Sequence, residues 1–233
     1  PLQVILAILG LPETDYQRML MLTQEMFGNA DPDLQRGTTI EDLTQVINDF
    51  FIYFSELSAS RKSTPTHDLA STIANGEVYD KPLGDVEMIS YYIITATAGH
   101  DTTSAAIAGG MLSLLQNPDQ LELMRTTLPV SKEAVEELMR YCAMFVTLFP
   151  RTALEDLEIA GQKIEAGQSV SVSPVAVNRD PRIWDEPNVL KIDREVKAHL
   201  SFGHGIHGCL GQQLARLVIQ ESLTQLLGAI HSI

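Results

Sequence analysis

Cysteine is scarce in this chain, and the two that occur, Cys142 and Cys209, stand far apart. No Cys-x-x-Cys pair is present, so the four ligands of a structural zinc ion cannot be assembled from spacing. Two cysteines also cannot form a disulfide framework. The cysteine content therefore indicates a reducing compartment.

Positive charge is in short supply as well. Lys and Arg total 16 against 30 Asp and Glu, which gives a formal net charge of −14. Such a chain is not attracted as a whole to nucleic acid or to anionic lipid, so we expect neither as a partner. Hydrophobic residues make up 45% of the chain, which is enough to build the core of a globular protein.

One hydrophobic run, residues 88–115, is long enough to cross a bilayer. His100 and Asp101 lie at its centre, where charged and polar groups are costly in lipid. The run is therefore interpreted as a buried central helix, and no membrane association is expected. The sequence also contains no basic-then-apolar leader.

The hydrophobic periodicity predicts a mainly α protein with a small antiparallel β region. Helices are expected through the first third of the chain, over about 85–116 for the central helix, and over about 132–141. Residues 157–175 alternate short β-type runs with glycine turns, which is typical of a small antiparallel sheet. The chain is predicted to form one domain.

The stretch Phe202 to Gly211 reads FGHGIHGCLG and precedes a helical pattern. Its glycines allow left-handed backbone and close approach to a flat ligand. Cys209 would then stand at a helix N-terminus, where unpaired N–H groups and the helix dipole favour a thiolate. Taken alone, Cys209 is better explained as a structural or incidental thiol than as a ligand.

Three further features carry candidate chemistry. In Ala98–Thr103, AGHDTT, a carboxylate and a hydroxyl form either a polar notch or a kink with a back-bonded threonine. Glu137 and Arg140 form either a solvated surface pair or a structural one. Arg151 is either a surface cation or a clamp for a carboxylate or phosphate.

Together these four features, in this order, resemble the cytochrome P450 superfamily of haem-thiolate monooxygenases. FGHGIHGCLG is similar to the haem-binding loop of that family, AGHDTT to its oxygen-activating motif, and ELMR to its Glu-x-x-Arg helix. The resemblance covers nearly the whole chain. A weaker likeness to bacterial soluble members, especially terpene-hydroxylating ones, extends through LTQEMFG and NRDPRIWDEP.

The resemblance implies haem b as the cofactor, with Cys209 as the axial ligand of its iron. Phe202 would pack beside the sulfur, and Gly203 and Gly211 would admit the porphyrin face. A thiolate ligand pushes electron density to iron and favours O–O cleavage.

The haem propionates would be bound by His207 and Arg151, while Glu137 and Arg140 would be structural. The family commonly adds a third, basic partner in a Pro-x-Arg-Phe segment. Here the aligned stretch begins at Pro187 and places Val189 where that basic residue is expected. The sequence therefore predicts no basic partner at that position.

Asp101 and Thr102 match the acid–alcohol pair that delivers protons during oxygen activation, and Ala98 and Gly99 would leave room for dioxygen. The positions that match substrate-facing ones are mostly apolar: Ile94, Thr97, Ala98, Thr147 and Phe149. This lining indicates a small hydrophobic substrate, terpenoid-like in preference to a steroid or fatty acid.

The implied enzyme inserts one atom of dioxygen into its substrate, with electrons from NAD(P)H delivered by a ferredoxin reductase and a ferredoxin. It would be a cytoplasmic bacterial protein. A peroxide-driven enzyme is disfavoured because such members typically lack the acid–alcohol pair. A haem-binding sensor or a non-catalytic relative is the alternative from another class.

The sequence opens at Pro1 inside a helical pattern and without Met. Against the family, we expect an incomplete P450 fold, a C-terminal fragment without the N-terminal part and the extreme C-terminus. Such a fragment would take up haem weakly by itself.

Overall fold

The computed structural model describes residues 1–28, 31–142 and 149–230. They divide into two compact units, Pro1–Thr102 and Thr103–Ile233. The architecture is mainly helical with small antiparallel sheets, as the periodicity predicts.

The first unit consists of helices and one short hairpin. In chain order its elements are α1 (Leu2–Leu9), a 3-10 turn (Glu13–Asp15), α2 (Tyr16–Phe27), α3 (Ile40–Ser63), α4 (Leu69–Ala74), β1 (Glu77–Val78), β2 (Lys81–Pro82) and α5 (Asp85–Ala98). Helix α3 begins with a capping box in which the Thr39 side chain accepts from the Asp42 N–H and the Asp42 carboxylate accepts from the Thr39 N–H.

The core of this unit is aromatic. Phe50 and Phe54 of α3 lie with ring centroids 6.0 Å apart, and Phe54 stacks on Tyr92 of α5 at 5.2 Å. The Tyr92 hydroxyl is buried and donates to the Ala70 carbonyl at 2.7 Å. These contacts fix α5 by one face and leave its other face exposed.

The second unit contains most of α6 (Asp101–Gln116), followed by α7 (Pro118–Thr126) and α8 (Lys132–Cys142). Strands β3 (Phe149–Thr152), β4 (Leu157–Ile159), β5 (Gln162–Ile164) and β6 (Ser169–Val172) come next. The short helix α9 (Pro174–Val177), a 3-10 turn (Gly205–His207) and α10 (Gln212–Ala229) complete it. Its core combines Leu114, Leu138, Ile219 and Leu223, all nearly inaccessible to solvent.

The predicted β region is antiparallel, as two separate strand pairs. Strand β3 pairs with β6 so that Arg151 lies opposite Val170, and β4 pairs with β5 around a turn at Ala160 and Gly161. Both turn residues have positive φ, 52° and 81°, which suits the twist of a tight hairpin.

The central helix predicted over about 85–116 is not continuous in the structure. Helix α5 ends at Ala98 and α6 begins at Asp101. The His100 N–H bonds to the Thr97 carbonyl at 3.3 Å, an i−3 bond at the point where the helix stops. A Cβ on Gly99 would lie 2.6 Å from the Ile5 side chain, so α1 packs closely against the break and a larger residue there would make Ile5 move.

Within the described residues, no helix combines the length and the apolar character that crossing a membrane requires.

Candidate functional site

The loop from Phe202 to Gly211, here called the cysteine loop, is a tight backbone structure. Gly203 and Gly205 both have φ of 69°, a left-handed conformation that residues with a Cβ adopt only with strain. The Cys209 N–H donates to the Phe202 carbonyl at 2.8 Å and closes the loop. The loop therefore presents Cys209 two residues before Gly211, the N-cap of α10.

The outer surface of the cysteine loop is apolar and open. The Cys209 thiol is free and exposed, and its neighbours Ile206 and Leu210 are 98% and 101% exposed. A Cβ built on Gly205 or Gly211 would meet no atom within 4 Å. Two fully exposed large apolar side chains in one loop offer surface that an apolar ligand could cover.

The other cysteine has the opposite environment. Cys142 is the last residue of α8, and its thiol lies 3.9 Å from the Ala106 carbonyl oxygen. Burial raises the pKa of the Cys142 thiol to about 11. A thiol held in its protonated form is a poor metal ligand, so Cys209 is the better candidate.

The two predicted propionate ligands lie in exposed positions of the second unit. Arg151 stands on β3, where its guanidinium donates to the neighbouring Pro150 carbonyl at 2.8 Å. His207 closes the 3-10 turn of the cysteine loop. Within the described ranges neither residue forms an ion pair, so both remain available to an anionic group.

Glu137 and Arg140 are buried, at 3% and 2% exposure, and do not form a surface pair. Two hydrogen bonds of 2.7 and 2.8 Å join the guanidinium to the carboxylate. Arg140 also donates to the carbonyls of Asn178 and Pro187 at 2.8 Å each, and it lies over the Trp184 ring. The pair thus ties α8 to the loop segment that precedes the cysteine loop.

A third, basic partner is present, but it does not come from position 189. Arg194 donates from Nε to Glu137 at 3.0 Å and is itself almost buried. The same guanidinium donates to the carbonyls of Asp185, Glu186 and Val189. Val189 therefore contributes its backbone oxygen, and the basic group comes from five residues further along the chain.

In the first unit, the predicted acid–alcohol pair lies at the start of α6. The Thr102 hydroxyl donates to the Ala98 carbonyl at 2.9 Å, and the Asp101 side chain is 44% exposed. His100 Nε2 lies 3.4 Å from an Asp101 oxygen. Burial lowers the pKa of His100, and the neighbouring Asp101 charge opposes that shift.

The predicted substrate-facing positions are not all on one face. Ile94 is 55% exposed, and Ala98, one turn later, is also exposed. Thr97 is buried, and its hydroxyl donates to the Ile93 carbonyl at 2.7 Å. Phe149 is half-buried on β3, whereas Thr147 lies outside the described residues.

Sequence reasoning missed a second charged cluster on α8. Glu136 accepts a hydrogen bond of 2.8 Å from His199 and also pairs with Arg216 of α10. Burial alone would raise the pKa of Glu136, but the hydrogen bonds from His199 and Arg216 lower it from 4.5 to about 2. The only signal in the sequence is the doubled acid Glu136-Glu137.

Comparison with known proteins agrees with this geometry. The family model described as Cytochrome P450 matches residues 13–229. The chain belongs to the cytochrome P450 family. It is 36% identical over 241 residues to Cytochrome P450-terp of a Pseudomonas species, covering 100% of this chain and 56% of that protein.

Two further relatives give the same result. The Biotin biosynthesis cytochrome P450 of Bacillus subtilis is 37% identical, covering 99% of this chain and 58% of its own length. The crystal structure of CYP108D1 from Novosphingobium aromaticivorans superposes with a TM-score of 0.85 at 40% identity, over 100% of this chain and 54% of that one. The chain thus spans about half the length of the P450 relatives that it matches.

The residues of the cysteine loop fit the haem that a P450 implies. The free thiol provides the soft anionic donor that haem iron takes from cysteine. Ile206 and Leu210 provide apolar surface that a porphyrin would remove from water, and the absent Cβ atoms of Gly205 and Gly211 leave the approach open. Nothing in the described part of the cysteine loop opposes a flat apolar ligand.

Proposed function

We propose that this protein is a haem-thiolate monooxygenase that inserts one atom of dioxygen into a C–H bond of a small apolar substrate. The observation that carries the proposal is the exposed Cys209 thiol, presented by a glycine loop between two fully exposed apolar side chains. Haem held by a cysteine thiolate would supply one-electron chemistry and the activation of dioxygen, and the thiolate favours O–O cleavage.

Cys209 would hold the iron, while Phe202 and the glycines of the cysteine loop would support one face of the porphyrin. Arg151 and His207 would bind the propionates, because Arg151 is an exposed cation, His207 is an exposed hydrogen-bond donor, and neither has an ion-pair partner in the described ranges. Gly203 keeps the loop in the left-handed conformation that this presentation requires.

Asp101 and Thr102 would move the protons that oxygen activation consumes. The partly exposed Asp101 carboxyl can take a proton from solvent at its free oxygen. The Thr102 oxygen already donates its hydrogen to the Ala98 carbonyl, so its lone pairs remain free to accept a hydrogen bond. Ala98 and Gly99 have little or no side chain, so they would leave room for dioxygen beside this pair.

The proposed substrate is terpenoid-like, in preference to a steroid or a fatty acid. Support comes from the 36% identity to Cytochrome P450-terp and from the exposed apolar side chain of Ile94. A hydrocarbon would be held mainly by burial against such a surface. Substrate-induced change of the haem spin state, screened across the three substrate classes, tests this preference.

Electrons would come from NAD(P)H through a ferredoxin reductase and a ferredoxin. We place the protein in the bacterial cytoplasm, because its relatives include bacterial proteins and its two cysteines are free thiols. A haem-binding sensor would bind the same cofactor but would consume no reductant when its ligand is added. Ligand-dependent consumption of NAD(P)H therefore separates the enzyme from the sensor.

The deciding experiment replaces each cysteine in turn. The reduced, CO-bound protein should show the red-shifted Soret band of thiolate ligation, and Cys209→Ala should abolish that band because the ligand is gone. Cys142→Ala is the matched control and should retain it, since that thiol is protonated within α8. A red-shifted band that persists in Cys209→Ala would overturn the proposal.

A further inference from the structure

Glu136 of α8 contacts two side chains, His199 and Arg216, that come from distant parts of the chain. Its carboxylate accepts hydrogen bonds from the Nε and Nη2 atoms of Arg216, the latter at 3.2 Å, and from His199 Nε2 at 2.8 Å. The side chains of Glu136 and His199 are 16% and 3% exposed. Such a carboxylate is held in one place by hydrogen bonds from two directions.

Arg216 connects Glu136 to the cysteine loop through Phe202. Its guanidinium lies over the ring of Phe202, 4.3 Å from the ring centre, which is a close cation–π contact. The Phe202 carbonyl in turn accepts the Cys209 N–H at 2.8 Å. A continuous series of contacts therefore runs from Glu136 through Arg216 and Phe202 to Cys209.

His199 fixes the other end of the segment that enters the loop. Because Nε2 donates to Glu136, Nδ1 is left to accept, and the Ser201 N–H donates to it at 3.2 Å. The Ser201 hydroxyl donates to the Met139 carbonyl at 2.8 Å. The Leu200 N–H donates to the Asn178 side chain at 2.8 Å. Residues 199–202 are thus held from both sides before the loop begins.

We propose that Glu136 is a positioning residue for the cysteine loop: it holds Arg216 against Phe202 and His199 beside it, and so keeps Cys209 in place for its ligand. The inference deepens the proposed function and rests on it for the identity of that ligand. Glu136 touches neither Cys209 nor any reacting group; it acts through Phe202.

The effect of removing the charge follows from these contacts. In Glu136→Gln the side chain keeps its shape but can accept at only one atom, so it cannot satisfy both His199 and Arg216. Arg216 is 27% exposed at its side chain and can turn to solvent, which frees the Phe202 ring. The bond between the Cys209 N–H and the Phe202 carbonyl then opens more often.

The experiment measures hydrogen exchange of the cysteine loop in the protein as purified, together with the CO spectrum of its reduced form. We expect Glu136→Gln and Arg216→Gln each to speed exchange of the Cys209 amide about tenfold and to convert part of the red-shifted CO complex to the unshifted form. Amides of α7 should exchange at wild-type rates, which a general loss of stability would not allow.

Glu133→Gln is the matched control, since Glu133 is exposed on the same helix and forms no hydrogen bond or ion pair in the described part of the chain. The double variant Glu136→Gln/Arg216→Gln should exchange no faster than either single variant, because both act through one contact. Loop exchange at the wild-type rate in Glu136→Gln, or fully additive effects in the double variant, would overturn the inference.

The two proposals fail separately. A wild-type protein without a red-shifted CO band would contradict the proposed function, while the exchange of the Cys209 amide would still decide the role of Glu136. A wild-type band that is equally stable in Glu136→Gln, with unchanged exchange, would contradict the role of Glu136 and leave Cys209 as the ligand.

Discussion

Glu137 is the residue on which most of the buried charge of the second unit depends. Its carboxylate accepts from Arg140 twice, from Arg194 once, and from the Lys191 N–H at 3.0 Å. Because all the lone pairs of a buried carboxylate are used, the arrangement is stable only while each partner remains. A single neutral substitution would leave two arginines without their counter-charge.

Glu137→Gln should therefore lower the free energy of unfolding by about 3–5 kcal/mol, the usual cost of removing one partner from a buried ion pair. Arg194→Gln should cost about 1–3 kcal/mol, because hydrogen bonds to a charged group and to three carbonyls are lost. Urea unfolding of each variant measures both. Glu133→Gln, an exposed neighbour, should stay within about 0.5 kcal/mol of wild type.

An Arg194→Gln variant as stable as wild type would contradict the assignment of Arg194 as the third partner. The sequence pattern pointed to position 189, where a valine stands, and so did not identify the partner. Arg194 reaches Glu137 because the loop before it follows a path held by hydrogen bonds from Arg140 to the Asn178 and Pro187 carbonyls. Such a path is set by tertiary contacts, so residue spacing alone could not identify Arg194.

Thr102 should control the fate of reducing equivalents. Thr102→Ala should still bind haem and substrate, but it should divert NAD(P)H electrons to peroxide or water because a proton-transfer oxygen is lost. The ratio of product formed to NAD(P)H consumed measures this coupling, and we expect it to fall about tenfold or more. Thr95→Ala is the control, since Thr95 bonds the Tyr91 carbonyl in the same way. Unchanged coupling in Thr102→Ala would exclude the role.

At the level of elements, the break between α5 and α6 could not be predicted from the hydrophobic pattern. Apolar residues continue through 88–115, so periodicity predicts one helix. At the break Gly99 lies against Ile5 of α1, where a larger residue would require the Ile5 side chain to move. A contact with a residue more than ninety positions earlier leaves no trace in the local sequence pattern, so the break could not be predicted from residues 85–116. By contrast, α8 was predicted over 132–141 and spans Lys132–Cys142 because its periodicity is strong.

Helix α8 also gives the molecule a pH response. The pKa of Glu136 is about 2 in the folded chain against an ordinary value of 4.5. Since the folded value is the lower one, the stabilisation is complete above about pH 4.5 and is lost as the pH falls towards 2. Acidification should therefore weaken the attachment of the cysteine loop before it unfolds the α7 helix.

We expect the difference in free energy of unfolding between wild type and Glu136→Gln to shrink as the pH is lowered from about 5.5 to about 3, because the Glu136 carboxylate of the unfolded chain, with its ordinary pKa of 4.5, gains a proton over that range while the folded one stays ionised. Urea unfolding at several pH values measures the difference. Glu133→Gln should show no such pH dependence. A difference that stays constant or grows on acidification would contradict the assignment.

At the scale of the whole molecule, the cysteine loop carries the two most exposed apolar side chains of the described residues. Ile206 and Leu210 flank the free thiol, and without a covering ligand both remain in water. Fully burying a side chain of this size is worth about 1.5–3 kcal/mol, so two copies of the haem-free chain gain by burying these residues against each other. Covering by haem would remove that gain.

The haem-free chain should therefore self-associate through the cysteine loop. The double variant Ile206→Gln/Leu210→Gln should weaken this association at least about tenfold, since about 1.4 kcal/mol corresponds to one factor of ten. Sedimentation velocity over a range of concentrations measures it, and added haemin should weaken the association of wild type but not that of the variant. Leu154→Gln serves as control, because Leu154 is 95% exposed but lies outside the loop. Equal weakening by Leu154→Gln would show that apolar exposure in general, and not the haem face of the loop, drives the contact.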